Sequence, residues 1–204
     1  SERVQEPNAL KRQRPKPGGR VEGAEMTNAK AEVKSKQIVY KGKIISVEVA
    51  DVRLPHGAQS RMEAVRHPGS VVLIPMPDPS HIMLVRQYRY PVDRFLWELP
   101  AGSLKPGEDP EAGAVRECEE EVGLVSTIVE PAGTFFSSPG YCDERMTCFR
   151  MRGLQKPKRG DPAAHQDEDE QIEVRTFSLE QAREMVKSGE IADLKTALAL
   201  AMLG

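Results

Sequence analysis

The chain has 204 residues, which suits one ordinary domain with an appendage and excludes two full domains. Its net charge of −2 is uneven, because residues 1–36 carry nine Lys or Arg and five Asp or Glu (+4), leaving −6 (20 minus 26) for the rest. An acidic body argues against nucleic-acid binding as the main activity, and no apolar run approaches the ~20 residues that cross a bilayer.

Residues 1–36 are rich in Lys, Arg, Pro and Gly and poor in large apolar residues, so we predict a flexible basic tail. Its interspersed acids and lack of aromatic residues disfavour a nucleic-acid-binding arm. No apolar signal-peptide core lies near the start, and Cys118, Cys142 and Cys148 form no CxxC pair. We therefore predict a soluble cytoplasmic protein with neither a disulfide framework nor a zinc site.

Residues 37–67 show three strand-like runs separated by turn residues, and these runs are 37–40, 43–54 and 59–67. Alternating β-branched residues between turns are typical of an antiparallel meander. A three-stranded sheet is small and needs another surface to cover it. We therefore predict a small N-terminal β-sheet domain here, with a face that requires a partner.

The next two predicted strands are close to candidate phosphate-binding arginines. Residues 70–76 form a nearly continuous apolar run, typical of a buried strand, and residues 81–90 follow as a second strand. Arg86 and Arg89 alternate with apolar residues in the second strand, and Arg66 precedes the first. Most strand arginines are plain surface charges, but a guanidinium group also suits phosphate oxygens.

The stretch 102–124 combines a loop, a helix and a cluster of carboxylates. Asp109 can cap free N–H groups and Pro110 suits the first helical position, so a helix is predicted from about Pro110. Gly123 can take the left-handed conformation that ends helices. Apolar residues recur between these ends at helical spacing and predict one packed face, formed by Val115, Cys118 and Val122.

Glu117 and Glu121 lie one turn apart beside this face, next to the turn-spaced pair Arg116 and Glu120. Like charges at this spacing repel by roughly 0.2–0.5 kcal/mol per pair, and glutamate runs commonly form a solvated helix surface. The alternative is a divalent cation site, because Mg2+ takes carboxylate oxygens and often bridges to substrate phosphates.

Three more strands are predicted after this stretch, at 127–136, 145–151 and 171–177. The loop after the first strand contains Ser138-Pro139-Gly140, which by itself indicates an ordinary turn. A long polar loop, 155–169, leads into the acidic run at 167–170, and such runs are usually solvated.

Two helices close the chain and are predicted to be structural. Ser178 and Gln181 form a capping-box pattern that opens a helix at 179–187, and Gly189 closes it. The second helix is predicted at 193–203, with a core face formed by Leu194, Ala197, Leu198, Ala201 and Met202.

The stretch 102–124 resembles the signature box of the Nudix hydrolases. That box reads Gly, five residues, Glu, seven residues, Arg-Glu, an apolar residue, any residue, Glu-Glu, any residue, Gly and an apolar residue. The chain supplies it with Gly102, Glu108, Arg116, Glu117, Glu120, Glu121, Gly123 and Leu124, with Cys118 at the first apolar position. Seven fixed positions match by chance at roughly one in 10^8 or rarer per start point.

Three flanking elements resemble the ADP-ribose pyrophosphatase branch of this family. They are the Gln87-Tyr88-Arg89 element, the Leu-Trp-Glu-Leu-Pro-Ala-Gly run at 96–102, and Ser138-Pro139-Gly140. The resemblance implies a Nudix α/β/α sandwich with a mixed curved sheet over residues 68–204. It also implies a homodimer in which the sheet at 37–67 is exchanged or packed across the two copies.

The implied reaction is hydrolysis of the pyrophosphate of ADP-ribose to AMP and ribose 5-phosphate. Two or three Mg2+ ions, with Mn2+ as an alternative, would neutralise charge and lower the pKa of a bound water. The implied metal ligands are the Ala101 carbonyl and the carboxylates of Glu117, Glu120, Glu121 and Glu170. The implied catalytic residues are Glu168 as proton acceptor, Glu121, and Arg116 as a support. The spacing of the loop leaves open the reverse assignment, with Glu170 as acceptor and Glu168 as ligand.

The resemblance also implies a set of substrate-binding residues, which are Arg66, Arg89, Trp97, Glu98, Ser103, Ser138 and Gly140. Gly102, Glu108 and Gly123 would support the box. Trp97 can equally be a core residue. Two alternative functions remain: hydrolysis of other nucleoside diphosphate sugars or related dinucleotides, and non-catalytic binding of ADP-ribose. Degenerate binding modules usually lose box glutamates, whereas every one is present here.

Overall fold

A computed structural model of the protein describes residues 29–157 and 172–203. In this part of the chain, ten strands and three α-helices follow one another. They are β1 (Glu32–Lys41), β2 (Ser46–Arg53), β3 (Gln59–Arg66), β4 (Ser70–Pro75), β5 (His81–Arg89), β6 (Arg94–Glu98), β7 (Ala101–Ser103), α1 (Pro110–Glu117), β8 (Val125–Phe136), β9 (Arg145–Gln155), β10 (Glu173–Ser178), α2 (Leu179–Ser188) and α3 (Leu194–Met202).

The strands form three sheets, with the orders β1-β2-β3, β10-β5-β6 and β7-β4-β9-β8. The pair β4–β9 is parallel, and the other pairs of the described strands are antiparallel. The predicted mixed α/β architecture is therefore confirmed. None of the helices in residues 29–157 and 172–203 is long and apolar enough to cross a membrane.

Strand β4 is the centre of the fold because both of its faces are buried. Val71 and Leu73 pack with α1 in one cluster, whereas Val72 and Ile74 pack in a second cluster with β5, β6, α2 and α3. Each of these four side chains is at most 1% exposed. Full burial of such a side chain stabilises the fold by about 1.5–3 kcal/mol, so the alternation of β4 fixes which helix lies on which side.

Helix α1 begins as predicted but does not continue as a regular α-helix to Gly123. Asp109 Oδ1 accepts hydrogen bonds from the N–H groups of Glu111 and Ala112, at 3.0 and 3.1 Å. After Glu117 the chain makes one π-helical turn, Cys118–Val122, and Gly123 ends it with φ at 71°. The predicted end at Gly123 is confirmed, whereas the π-helical form of the last turn was not predicted, because local spacing does not distinguish the two helical forms.

Strand β1 begins at Glu32, so residues 32–36, which we assigned to the flexible tail, belong to a strand. Three of these five residues are charged and one is apolar, so they resemble the tail in composition. Every residue of β1 is exposed, including Ile38 and Tyr40. The predicted homodimer stays a prediction, as does the tail itself, since residues 1–28 lie outside the described residues.

Three further features differ from the sequence prediction. Strands β6 and β7 were not predicted, because β7 is only three residues long and β6 directly follows the turn after β5. The predicted core face of α3 was wrong: Leu194 is 68% exposed, whereas the polar Thr196 is fully buried beside Ala199 and Leu200. Thr196 can be buried because the backbone N–H of Leu99 donates to its hydroxyl at 2.8 Å.

This hydrogen bond fixes α3 to the segment that leads into β7, and Thr196→Val would test its contribution. Valine keeps the shape but leaves the buried N–H of Leu99 without an acceptor, so the free energy of unfolding should fall by about 1–3 kcal/mol. Urea unfolding monitored by circular dichroism would measure it. Thr176→Val on exposed β10 is the control, expected within about 0.5 kcal/mol of wild type; equal losses in both variants would contradict the assignment.

Candidate active site

A cavity of about 470 Å³ lies beside β7 and collects residues from distant parts of the chain. Five of the predicted site residues line it, namely Arg89, Ala101, Gly102, Ser103 and Ser138. Residues that we did not predict also line it, chiefly Ile44, His67, Ser70, Glu144, Asp193, Leu194 and Lys195. The cavity is therefore bordered by the N-terminal sheet, the Ser-Pro-Gly loop and the start of α3.

Two box carboxylates are buried beneath β7. Glu117 and Glu121 are each 7% exposed. The backbone N–H of Ala101 donates to Glu121 Oε2 at 3.1 Å. A Cβ atom on Gly102 would lie 1.9 Å from Cδ of Glu117, so only glycine lets the strand approach this carboxylate. Burial raises the pKa of Glu117, although Arg116 acts in the opposite direction.

Arg116 binds three carboxylates through one guanidinium group. Its Nε and Nη2 donate to the two oxygens of Glu108, at 2.8 and 2.9 Å. Its Nη1 donates to Glu117 Oε1 at 2.7 Å and to Glu120 Oε2 at 2.6 Å. Hydrogen bonding to Arg116 lowers the pKa of Glu108 to about 2, and the same bonds raise the pKa of Arg116. Arg116 therefore holds the box in one arrangement.

The donor set beside β7 fits a hard divalent cation. Carboxylates and a backbone carbonyl are the ligands that Mg2+ prefers, and Glu117, Glu120, Glu121 and Ala101 supply them. Within residues 29–157 and 172–203, no three acidic, His or Cys side chains already converge in a ligating geometry. Arg116 binds one oxygen each of Glu117 and Glu120. The predicted Glu168 and Glu170 lie outside the described residues.

A second charged cluster contributes Arg89 and Lys195 to the cavity lining, which does not include Glu117, Glu120 or Glu121. Glu98 is 2% exposed, and Arg89 Nε and Nη2 donate to its two oxygens at 2.7 and 3.0 Å. Lys195 Nζ donates to Glu98 Oε2 and also lies 3.1 Å from Asp193 Oδ1. Glu98 itself does not line the cavity; it orients two cations that do.

Lys195 was missed because α3 was assigned a purely structural role. A signal was present in the sequence: a lysine in the first turn lies at the positive end of the helix dipole, where a cation is disfavoured. Such a placement indicates an anionic partner, and Glu98 is that partner, 97 residues away in the chain. His67, Ser70 and Glu144 were also missed, and Ser70 Oγ donates to Glu144 Oε1 at 2.9 Å.

The other predicted substrate residues lie apart from the cavity wall or at its edge. Trp97 is 7% exposed and packs edge-to-face on Phe177, with ring centroids 5.0 Å apart. Arg66 binds Glu48 and Asp143 and so ties the N-terminal sheet to the loop that carries Ser138 and Gly140. The proposed roles of Trp97, Arg66 and Gly140 in substrate binding stay predictions.

The NUDIX domain model matches residues 66–197, which is 132 of the 204 residues. The chain belongs to the NUDIX family. It is 40% identical over 171 residues to an ADP-ribose pyrophosphatase from Bacillus subtilis, covering 83% of this chain and 90% of that protein. It is 39% identical over 171 residues to a methanol dehydrogenase activator from Bacillus methanolicus, covering 84% and 90%.

The fold of this NUDIX protein also resembles a solved structure described as an ADP compounds hydrolase. The TM-score is 0.73 at 19% sequence identity, and the similarity covers 88% of this chain and 95% of the other. At this identity the likeness shows the shared fold alone. The Nudix resemblance and the fold class that we predicted from the box are therefore confirmed.

The close approach of β7 to Glu117 predicts that Gly102→Ala will be poorly tolerated. The added methyl group overlaps the Glu117 carboxylate, so strand or helix must move, at a cost of about 1–3 kcal/mol in the free energy of unfolding. The matched control is Gly140→Ala, since a Cβ there meets nothing within 4 Å. Urea unfolding of both variants would decide, and equal midpoints would contradict this account of Gly102.

The Arg116–Glu108 pair predicts a specific acid dependence of stability. The pKa of Glu108 is about 2 in the folded protein and about 4.3 in an unfolded chain. Its contribution is therefore complete above about pH 4.3 and is lost as the pH falls towards 2. We expect the destabilisation caused by Glu108→Gln to be smaller at about pH 3 than at about pH 6.

Urea unfolding at both pH values would measure this difference. Glu111→Gln is the matched control, because Glu111 lies in the first turn of the same helix, is exposed and makes no ion pair with Arg116. A Glu108→Gln effect that stays constant with pH would contradict the pairing.

Proposed function

We propose that this NUDIX protein hydrolyses the pyrophosphate of ADP-ribose to AMP and ribose 5-phosphate in the presence of Mg2+. The observation that carries the proposal is the burial of Glu117 and Glu121 beneath β7, whose residues Ala101–Ser103 line the cavity together with Arg89. A relative that is 40% identical and named ADP-ribose pyrophosphatase supports the same substrate.

The residues beside β7 would hold the cations in this reaction. Two or three Mg2+ ions, or Mn2+ instead, would be bound by the Ala101 carbonyl with Glu117, Glu120 and Glu121, and would supply charge neutralisation and a water of lowered pKa. Arg116 orients Glu117 and Glu120, and the N–H of Ala101 orients Glu121.

A proton acceptor and a further ligand complete this arrangement. Glu168 is the proposed proton acceptor and Glu170 the proposed additional ligand, with the reverse assignment as the alternative. Both belong to the acidic run 167–170, which lies outside the box in the sequence.

The substrate would lie along the cavity with its phosphates towards Arg89. Arg89 donates to Glu98 through Nε and Nη2. These bonds fix the orientation of the guanidinium group and leave other N–H groups that can bind phosphate. Ser103 and Ser138 supply hydroxyl groups to the same cavity. Trp97, Arg66 and Gly140 complete the proposed substrate-binding set.

We also propose a cytoplasmic homodimer. The exposed apolar side chains of β1, such as Ile38 and Tyr40, would be covered by a second copy, which would supply part of the adenine contacts. The three cysteines are free, which is compatible with a reducing compartment.

Other nucleoside diphosphate sugars and related dinucleotides are the alternative substrates. They stay open because the proposed roles of Arg89 and the box carboxylates concern the phosphates and not the far sugar. A substrate panel ranked by kcat/KM would separate them. A non-catalytic binding role would instead show tight ADP-ribose binding in Mg2+ without release of AMP.

The proposal predicts that Glu121→Gln will abolish most of the turnover. Loss of a buried carboxylate from the cation site should lower AMP release from ADP-ribose on the order of 100-fold, measured by chromatography at saturating Mg2+. Glu119→Gln, at a position that the signature leaves free, is the control and should stay near wild type. The proposal would be contradicted if turnover of Glu121→Gln stayed within a few-fold of wild type, or if the wild-type protein released no AMP from ADP-ribose.

A further inference from the structure

The first turn of α3 brings a second cation to the cavity wall. Asp193, Leu194 and Lys195 all line the cavity, and the next residue, Thr196, fixes the helix to Leu99. We propose that Lys195 is a second cationic substrate-binding residue, which acts with Arg89 on the phosphates of a nucleoside diphosphate. This inference rests on the proposed function and adds a specific residue to it.

The hydrogen bonds of the cluster leave donors available on both cations. Glu98 accepts a hydrogen bond from the Lys195 ammonium group, and Asp193 Oδ1 lies 3.1 Å from the same nitrogen. Arg89 uses Nε and Nη2 for Glu98. Within residues 29–157 and 172–203, the side-chain hydrogen bonds of Arg89 do not involve Nη1, and that of Lys195 goes to Glu98. Arg89 and Lys195 both line the cavity.

The carboxylates of Glu98 and Asp193 offset the repulsion between Arg89 and Lys195, which lie in the same cluster. Arg89 and Lys195 contribute two positive charges, and Glu98 and Asp193 two negative charges, so the cluster is neutral overall. Glu98 is almost fully buried, and Asp193 Oδ2 accepts from the N–H of Thr196 at 2.9 Å as the cap of α3. Glu98 and Asp193 therefore bind groups of the protein itself, whereas Arg89 and Lys195 can each donate a further hydrogen bond to a ligand.

The charged cluster around Glu98 lies close to the box because Glu98 is close to Ala101 in the sequence. Glu98 precedes Ala101 by three residues, and an extended chain of that length spans at most about 11 Å. A diphosphate bound beside Ala101 and Gly102 would therefore meet Arg89 and Lys195 from the adjoining wall. Cations are disfavoured in the first turn of a helix, and the pairing of Lys195 with Glu98 and Asp193 offsets this cost.

A purely structural role for Lys195 makes different predictions. If Lys195 only neutralised Glu98, its loss would act mainly on stability, and a bound ligand would not shield the Lys195 amine from modifying reagents. If it contacts phosphate, its loss must weaken binding of a phosphate-bearing ligand and flatten the salt dependence, because one charge contact disappears. Binding of ADP separates these cases without requiring turnover.

The experiment is calorimetric titration of ADP with Mg2+ into full-length protein at low and high salt. Lys195→Met should weaken ADP binding about tenfold or more, with a flatter salt dependence, whereas Lys195→Arg should stay within a few-fold. The control is Lys187→Met on α2, since Lys187 is 70% exposed and pairs with Glu184; it should bind as wild type. Wild-type affinity in Lys195→Met would overturn the inference.

A second measurement covers the case in which Lys195→Met does not fold. Reductive methylation of the wild-type protein, followed by mass spectrometry, reports how accessible each lysine amine is. ADP should slow the modification of Lys195 several-fold and leave Lys187 unchanged. A Lys195 amine that ADP does not protect, or that the reagent cannot reach in the free protein, would overturn the inference.

These outcomes are separable from those of the proposed function. If the wild-type protein releases no AMP from ADP-ribose but Lys195→Met loses ADP affinity, the proposed reaction fails and the role of Lys195 stands. If the wild-type protein cleaves ADP-ribose and Lys195→Met leaves KM and ADP affinity unchanged, the role of Lys195 fails alone.

Discussion

The guanidinium group of Arg116 is the interaction on which the candidate site depends. It donates to Glu108, Glu117 and Glu120 at once, and without it these carboxylates would repel one another at close range. A lysine could not replace it, because only a planar fork of donors reaches several carboxylates in fixed directions. The loop before α1, the helix and the π-helical turn are held together by this one side chain.

The site also shows that neighbouring carboxylates of one cluster can differ in chemistry. Hydrogen bonds to Arg116 lower the pKa of Glu108, whereas burial raises the pKa of Glu117. The folded protein favours the anionic form of Glu108, so this carboxylate stabilises the fold. It disfavours the anionic form of Glu117, so keeping this carboxylate ionised costs free energy. Such a cost is typical of residues retained for chemistry, which agrees with the proposed roles of Glu108 as a support and Glu117 as a cation ligand.

Local chemistry was predictable from the sequence and long-range geometry was not. The Asp109 cap, the Gly123 stop and the capping box at Ser178 depend on neighbours within four residues, and the structure confirms them. The box residues were identified from their spacing in the sequence and from the resemblance of that spacing to the Nudix signature. The burial of Thr196 and the contact of Lys195 with Glu98 join residues 97 apart, and periodicity along the chain contains no information about them.

The parallel pairing of β4 with β9 has a consequence for how the molecule forms. Ser70 lies opposite Met146, 76 residues later, so one edge of the central strand stays unpaired until β9 is made, while its other edge pairs with β7. At roughly 5–20 residues per second of synthesis, the 80 residues from the end of β4 to the end of β9 take about 4–16 s. During that delay the nascent chain contains the complete box, but α1 lacks the sheet surface formed by Phe149 and Met151. A fragment that stops before β9 would therefore have the family signature and no assembled site.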